Sequence, residues 1–580
     1  MTYEIIRRVW RVSAVLLLTF GVAAPIPAAE PDSRVAKGEA APSGGNEPPA
    51  ARSYGIAQVE LINQQVRRGW ADHELTPSAA AADGEWCRRV FLDILGRIPT
   101  VEELDAFVAD YAPDKKARLV DRLISDEYVD EYASNWATLW TNILIGRSGG
   151  TERMTRTNRD GLTQYLRRSF ERNKPYDQLV RELISATGTS RPGGKGFNGA
   201  VNFLADKLAE NGVQAAAQTS QVFLGVRVQC TQCHDHPFNN WQQDQFWQFN
   251  SFFRQTAALR RFEGGRDIAY IELVDQDFAG EGKDPDEAEV YYEQRNGVLK
   301  VAYPVFTDAD GTKTELPKSG YLNQVNRRKE LAELVVQSQW MPRAMVNRMW
   351  SHFLGYGMTK PMDDLGPHNA PTHPELLDGL AASFKGEGYD LRKLIRWIAL
   401  SEPYGLSSQP GKGKKLDDPT LGEKPMFSRF YLRQMRAEEL YNSLLAATAA
   451  DRARGNYEQQ EAARRKWLGQ FVIAFGTDEN DETTTFNGTI PQTLMMFNGE
   501  LIKQATSGQK GTLLERVANN SKLNTNQQID YMFRAALARQ ATPQERTAAL
   551  RILRGRNNGV EALADLWWAL LNTNEFILNH

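Results

Sequence analysis

Helical periodicity runs along most of this 580-residue chain and gives way once, between about 262 and 318, to an alternation of period two. That single switch constrains the fold more than any other feature, because the two periods bury different faces and cannot serve one kind of element. In 88-RRVFLDILGRIPTVEELDAFVADY-111 the break at 96-GRIP-99 ends one helix, and Thr100 with Glu103 forms a capping box that opens the next. Further helical patterns cover 115–144, 174–187 and 214–230. In the period-two window, 289-EVYYEQR-295 and 298-VLKVAYPVF-306 flank Asn296-Gly297, a strong hairpin signal. A second turn, 308-DADG-311, leads into 312-TKTEL-316. Helices return at 327–338, 342–355, 374–388 (with Thr372 as its cap) and 390–401, and the chain closes on 561–580. No solenoid repeat is found. The expected fold is predominantly α, with two helical halves (54–258 and 324–580) and a small antiparallel β-meander inserted at 259–323. A chain this long exceeds one hydrophobic core, so more than one domain is expected.

The N-terminus reads as an export signal. Arg7, Arg8 and Arg11 precede an apolar run from Val12 to Ala24, and 25-PIPAAE-30 offers a small-residue cleavage site near Ala28 or Ala29. Residues 1–29 are therefore the expected signal peptide and 30–53, rich in Pro, Gly and Ala, a spacer. An uncleaved N-terminal signal anchor is the alternative, although the run is short of the roughly 20 residues that span a bilayer. No other segment is apolar enough to be a membrane span. The expected location is exported, either periplasmic or at the cell surface. The net charge of −3 gives no electrostatic reason for nucleic-acid binding. Three cysteines do not make a disulfide framework. Cys87, inside the apolar pattern 85-EWCRRVFLDIL-95, is expected to be a core residue.

The other two cysteines stand in 228-VQCTQCHDHPFNNW-241. Cys230, Cys233 and His234 spell C-x-x-C-H, the pattern of c-type haem attachment: the thiols add across the two vinyl groups and the histidine becomes the proximal iron ligand. Three other uses of the same residues stay open. One is zinc or another transition metal held by part of the set; the others are a local disulfide and a redox dithiol. Against haem stands the sixth ligand, since no methionine occurs between Met154 and Met341. Further metal ligands would come from His236 or from the C-terminal half, where His352, His368, His373 and the methionines from Met341 to Met362 lie; without one the iron is five-coordinate. In the haem reading Asp235 and His236 tune the centre and the aromatics of 237-PFNNWQQDQFWQFNSFF-253 wall it. Its partner is an unidentified redox or other exported protein. The competing reading is a haem-free exported protein of polysaccharide or cell-surface metabolism, with the cysteine run as a metal or disulfide staple. Asp363 and Asp364 are its candidate acid–base residues, a weak pair because adjacent acids usually point apart.

These segments carry a resemblance. The chain is similar to a two-domain family of planctomycete secreted proteins with cytochrome-associated names, whose domains have no assigned function. The similarity lies at 89-RVFLDILGRIPTVEELDAFVAD-110, 118-RLVDRLISDEYVDEYASNW-136 and 224-LGVRVQCTQCHDHPFNNWQQDQFWQFNSFF-253 in the first half. In the second half it lies at 343-RAMVNRMWSHFLGYGMTKPMDDLG-366, 371-PTHPELLDGLA-381 and 566-LWWALLNTNEFILNH-580. Cys230, Cys233 and His234 match the family pattern, which carries no settled activity with it. Relatives commonly have a separate haem-binding domain ahead of these halves, and the cytochrome label derives partly from it. Cys87 stands where relatives usually lack a cysteine, and 367-PHNA-370 falls in a variable region, which ranks His368 below His373 as a site residue.

Overall fold

The computed structural model describes residues 53–580, apart from 151–154, 265–267, 412, 414–416, 454, 477–488 and 556–558. The expected signal peptide and all of the expected spacer but its last residue lie outside the described residues. Helices dominate, and the described strands form small antiparallel sheets of two or three strands. Among the described residues no helix is long and apolar enough to cross a membrane.

Local chemistry places several elements where the sequence puts them. The helix Asp83–Leu95 stops at Gly96, which takes the left-handed conformation at φ 73° that favours glycine. The next helix, Val101–Val108, starts at Thr100: its hydroxyl accepts the Glu103 amide, and the Glu103 carboxylate accepts the Thr100 amide. The helix Pro374–Gly386 departs from expectation, since its N-cap is His373 and Pro374 occupies its first turn. Thr372 sits one residue outside, with its amide donated to Met358 O.

The β region is less continuous than a meander. Thr256–Phe262 pairs with Ile268–Asp275, whose other edge takes Gly188–Thr189 from far upstream. Val290–Glu293 pairs with Leu299–Ala302, and Val305–Thr307 with Lys313–Glu315, as two separate ribbons. The stretch 298–306 splits at Pro304, which has no N–H to donate and lies where one ribbon ends and the next begins. Both hairpins close alike: Gly297 N donates to Gln294 O and Gly311 N to Asp308 O, each glycine at positive φ. They are three-residue loops with a glycine bulge; Asn296 has no positive φ and the two-residue turn that Asn-Gly often signals is absent from this position.

The halves share their interior. One continuous apolar core takes residues from Val59 to Leu273 together with Leu331 to Tyr431, and Trp136, Trp140 and Trp350 lie fully buried in it. A second core gathers residues from Met435 to Ile577, with Leu92, Ile98 and Val101 of the first half inserted into it. Cys87 is buried in the first core, as its apolar pattern requires, and burial pushes its thiol pKa far up.

Candidate functional site

The segment leading to the cysteines does not remain one helix to residue 230. An α-helix over Val213–Thr219 widens into a π-helical turn at Ser220–Leu224 and ends on Gly225, left-handed at φ 66°. Such π turns recur at functional sites because they re-aim side chains that a regular helix would space evenly. Here Gln221 reaches out of the turn to donate to Asp363 Oδ2 at 2.8 Å, and Arg227 donates through Nε to Oδ1 at 2.8 Å. Leu365 N donates to Gly225 O at 2.7 Å. The start of the motif is thus fastened to residues 363–365.

Gly225 is required twice, by its φ and by its neighbours. A Cβ there would stand 2.9 Å from Ala344 Cβ and 3.2 Å from Leu365 Cδ1. Gly225→Ala is expected to destabilise the fold by about 2–4 kcal/mol, strain and overpacking combined. The urea midpoint measures it, and a loss under about 0.5 kcal/mol would show that this contact yields.

Beyond Gly225 a short 3-10 turn, Gln229–Gln232, carries Cys230. Thr231, buried between the two exposed thiols, fixes the turn by donating its hydroxyl to Val228 O at 2.6 Å. From outside, Trp247 Nε1 and Gln243 Nε2 both donate to Gln232 O, at 3.1 Å each. Gln243 Nε2 also reaches Glu293 O, so the first hairpin braces the loop. Asp235 accepts the Gln243 amide at 2.9 Å. The expected aromatic wall is divided. Phe246, Phe249, Phe252 and Phe253 belong to the core, Trp247 stacks on Tyr292, and Phe238 is 78% exposed.

The two motif histidines are in opposite hydrogen-bonded states. His234 Nδ1 lies 2.7 Å from Asp235 O. A carbonyl only accepts, so Nδ1 carries the proton and Nε2 keeps its lone pair, the form of a metal-ligating imidazole. His236 Nδ1 instead accepts the amides of Phe238 (3.2 Å) and Asn239 (3.0 Å). Its proton is therefore on Nε2, and it serves poorly as a neutral ligand without losing those bonds. Burial also holds His236 below the ordinary imidazole pKa, with Asp364 opposing and His368 adding to the effect.

Other candidates are engaged elsewhere. His352 is buried against Trp136 and Phe353 and donates Nε2–H to Asp93 O at 3.0 Å. His373 is buried beside Phe427, its Nδ1 2.9 Å from Thr372 Oγ1, and the Cβ of an alanine at position 69 would lie 2.5 Å from its Nε2. All five methionines from Met341 to Met362 lie in buried positions. The residue ranked lower, His368, is the one found at the motif: its ring centroid lies 5.5 Å from that of His236, and its Nε2 donates to Asp364 Oδ2 at 3.0 Å. The adjacent acids do point apart, Asp363 toward Gln221 and Arg227 and Asp364 toward His368. The sequence signal for this pair was the Asp364–His368 spacing of four.

A family model described as a protein of unknown function (DUF1549), PSCyt2, matches residues 61–258. A second of the same description (DUF1553), PSD1, matches 327–553. The chain belongs to the two-domain PSCyt2–PSD1 family. No curated protein and no solved structure matches it. Cys230 to His236 therefore lie in the PSCyt2 domain, and Asp363, Asp364 and His368 in the PSD1 domain.

The chemistry of the donor set can now be compared with the candidate groups. Two free, exposed thiols at the right spacing, followed by an imidazole with Nε2 available, fit covalent haem attachment and one axial bond. A dithiol oxidoreductase needs a thiol of lowered pKa, whereas the partial desolvation of Cys230, exposed as the residue is, and the charge of Asp364 both raise its pKa. Among the described residues no three His, Cys, Asp or Glu side chains form a group that could hold a metal ion.

Proposed function

We propose that this member of the PSCyt2–PSD1 family is an exported haem-binding redox protein that holds haem c through Cys230 and Cys233, with His234 as the proximal ligand. The observation that carries the reading is the state of His234: Nδ1–H is given to the neighbouring Asp235 carbonyl, and Nε2 is left with its lone pair beside two exposed thiols. Bound haem would supply one-electron chemistry. The chain's own part is to fix the imidazole tautomer through Asp235 O, to brace the loop through Gln243 and Trp247, and to keep both thiols accessible for attachment. His352 would take no part in holding the haem, since its Nε2 is engaged with Asp93 O, and the methionines from Met341 to Met362 lie buried.

The test is an absorption spectrum of full-length protein exported from a host with c-type haem maturation, repeated after acid-acetone extraction. A Soret band that survives extraction, and that Cys230→Ala/Cys233→Ala abolishes, is the expected result. A folded, colourless chain from a host that matures a control cytochrome would overturn the reading.

The haem-free reading, an exported protein that binds or acts on polysaccharide, draws on one observation. A polar cleft of about 820 Å³ between the domains, lined by Arg97, Glu131, Asn135, Asn442, Arg452 and Arg516 among others, has the size of a small-ligand site. Colourless protein that binds oligosaccharide there would favour it.

A further inference from the structure

His236 belongs to the cysteine motif, yet its ring packs on a side chain of the other domain. Its Nδ1 is fixed by two backbone amides, which leaves Nε2–H as its donor, without a partner among the described residues. Against the ring stands His368, itself oriented by Asp364. The backbone that carries this pair is clamped on the PSCyt2 side, through Asp363 to Gln221 and Arg227 and through Leu365 N to Gly225 O. Two atoms of the pair, Asp364 Oδ1 and His368 Nδ1, are buried with no hydrogen-bond partner among the described residues. Leaving such atoms unsatisfied is costly, and a pair with only a packing role would not need them. The Asp364 charge also reaches Cys230.

We propose that Asp364 and His368 of the PSD1 domain are positioning residues of the cysteine site: Asp364 orients His368, which backs the His236 ring, so that a group carried on 230–236 is held by both domains. The inference rests on the reading that the motif carries a group, but its test does not need that group.

The experiment uses reduced, haem-free, full-length protein at pH 7.5. Iodoacetamide alkylation is followed cysteine by cysteine by peptide mapping, and His236 is followed by NMR with ¹⁵N-histidine, in the parent, Asp364→Asn and His368→Leu. Removing the charge in Asp364→Asn is expected to raise the alkylation rate of Cys230 roughly two- to five-fold, while buried Cys87 stays unmodified. His368→Leu is expected to shift the His236 ring resonances, because it removes the ring packed against His236. Unchanged Cys230 rates and unchanged His236 resonances in folded variants would overturn the proposal. So would Cys87 becoming reactive together with Cys230, which is the mark of general loosening. Asp364→Asn is nearly isosteric and keeps the test decisive if His368→Leu fails to fold. A protein that passes here and gives no haem spectrum overturns the haem reading alone.

Discussion

Asp93→Ala is expected to lower the unfolding free energy by roughly 3–5 kcal/mol, the cost of breaking a buried ion pair by removing one partner. Asp93 lies on the helix Asp83–Leu95 with its side chain wholly buried. Its carboxylate accepts from the Arg433 guanidinium, from Asn579 Nδ2 at 2.9 Å and from the Tyr404 hydroxyl at 2.7 Å. Its backbone carbonyl accepts from His352. One residue thus ties the PSCyt2 domain to four separate stretches beyond residue 350. Without the carboxylate, Arg433 retains Glu439, its Nη1 3.5 Å from Oε2, and Asn579 and Tyr404 lose a buried acceptor. Urea unfolding at pH 7.5 measures the loss. Asp93→Leu combined with Arg433→Met should cost less than Asp93→Ala, because no orphaned charge remains. A single-variant loss under about 1 kcal/mol would show that the network does not hold these segments together.

Acid is expected to weaken the fold well above the pH at which carboxylates usually protonate. Burial lowers the pKa of His352 to about 3, helped by the Arg436 and Arg433 guanidiniums, and that of His373 to about 4. The unfolded chain takes up these protons near pH 6.5, and the folded chain refuses them. Their contribution is therefore complete above about pH 6.5 and is lost as pH falls toward 4. At about 1.4 kcal/mol per pH unit and group, the two histidines together forfeit about 5 kcal/mol by pH 4.5. Asp93 works in the opposite sense. Desolvation raises its pKa to about 6 despite Arg433, so the folded state gains about 2 kcal/mol over the unfolded one by the same pH. His580, which burial lowers to about 3, adds to the loss, so the expectation is a loss of at least about 3 kcal/mol between pH 7 and 4.5, a large share of the stability of an ordinary domain. Urea midpoints at the two pH values check this, and a midpoint that holds or rises at pH 4.5 would sink it.

Much of the local structure was legible because it is written within a few residues. The Gly96 stop, the Thr100–Glu103 box, the glycine-closed turns at 297 and 311 and the burial of Cys87 all follow from neighbours in the chain. The sequence reading ran the helix before the motif on to residue 230, missing the stop at Gly225, because the π turn shows no break in apolar pattern. It also missed the third strand, since Gly188–Thr189 is two residues long and pairs with Ile268–Asp275 far along the chain. The ranking of His373 over His368 shows the same limit. Both sit in one loop of similar composition, and only the docking of 363–366 on Gly225 decides which of them meets His236.

The shared core has a consequence during synthesis. Apolar side chains of the PSCyt2 domain are covered by Leu331 to Tyr431, made long after them. At about 5–20 residues per second, some 170 residues separate the end of the first domain from the last of those partners, an interval of roughly 10–35 s. Through that interval the nascent first domain exposes a sticky face that its own residues cannot cover, and a holding chaperone would find its grip there. The boundary between the two family domains thus falls inside one folding unit.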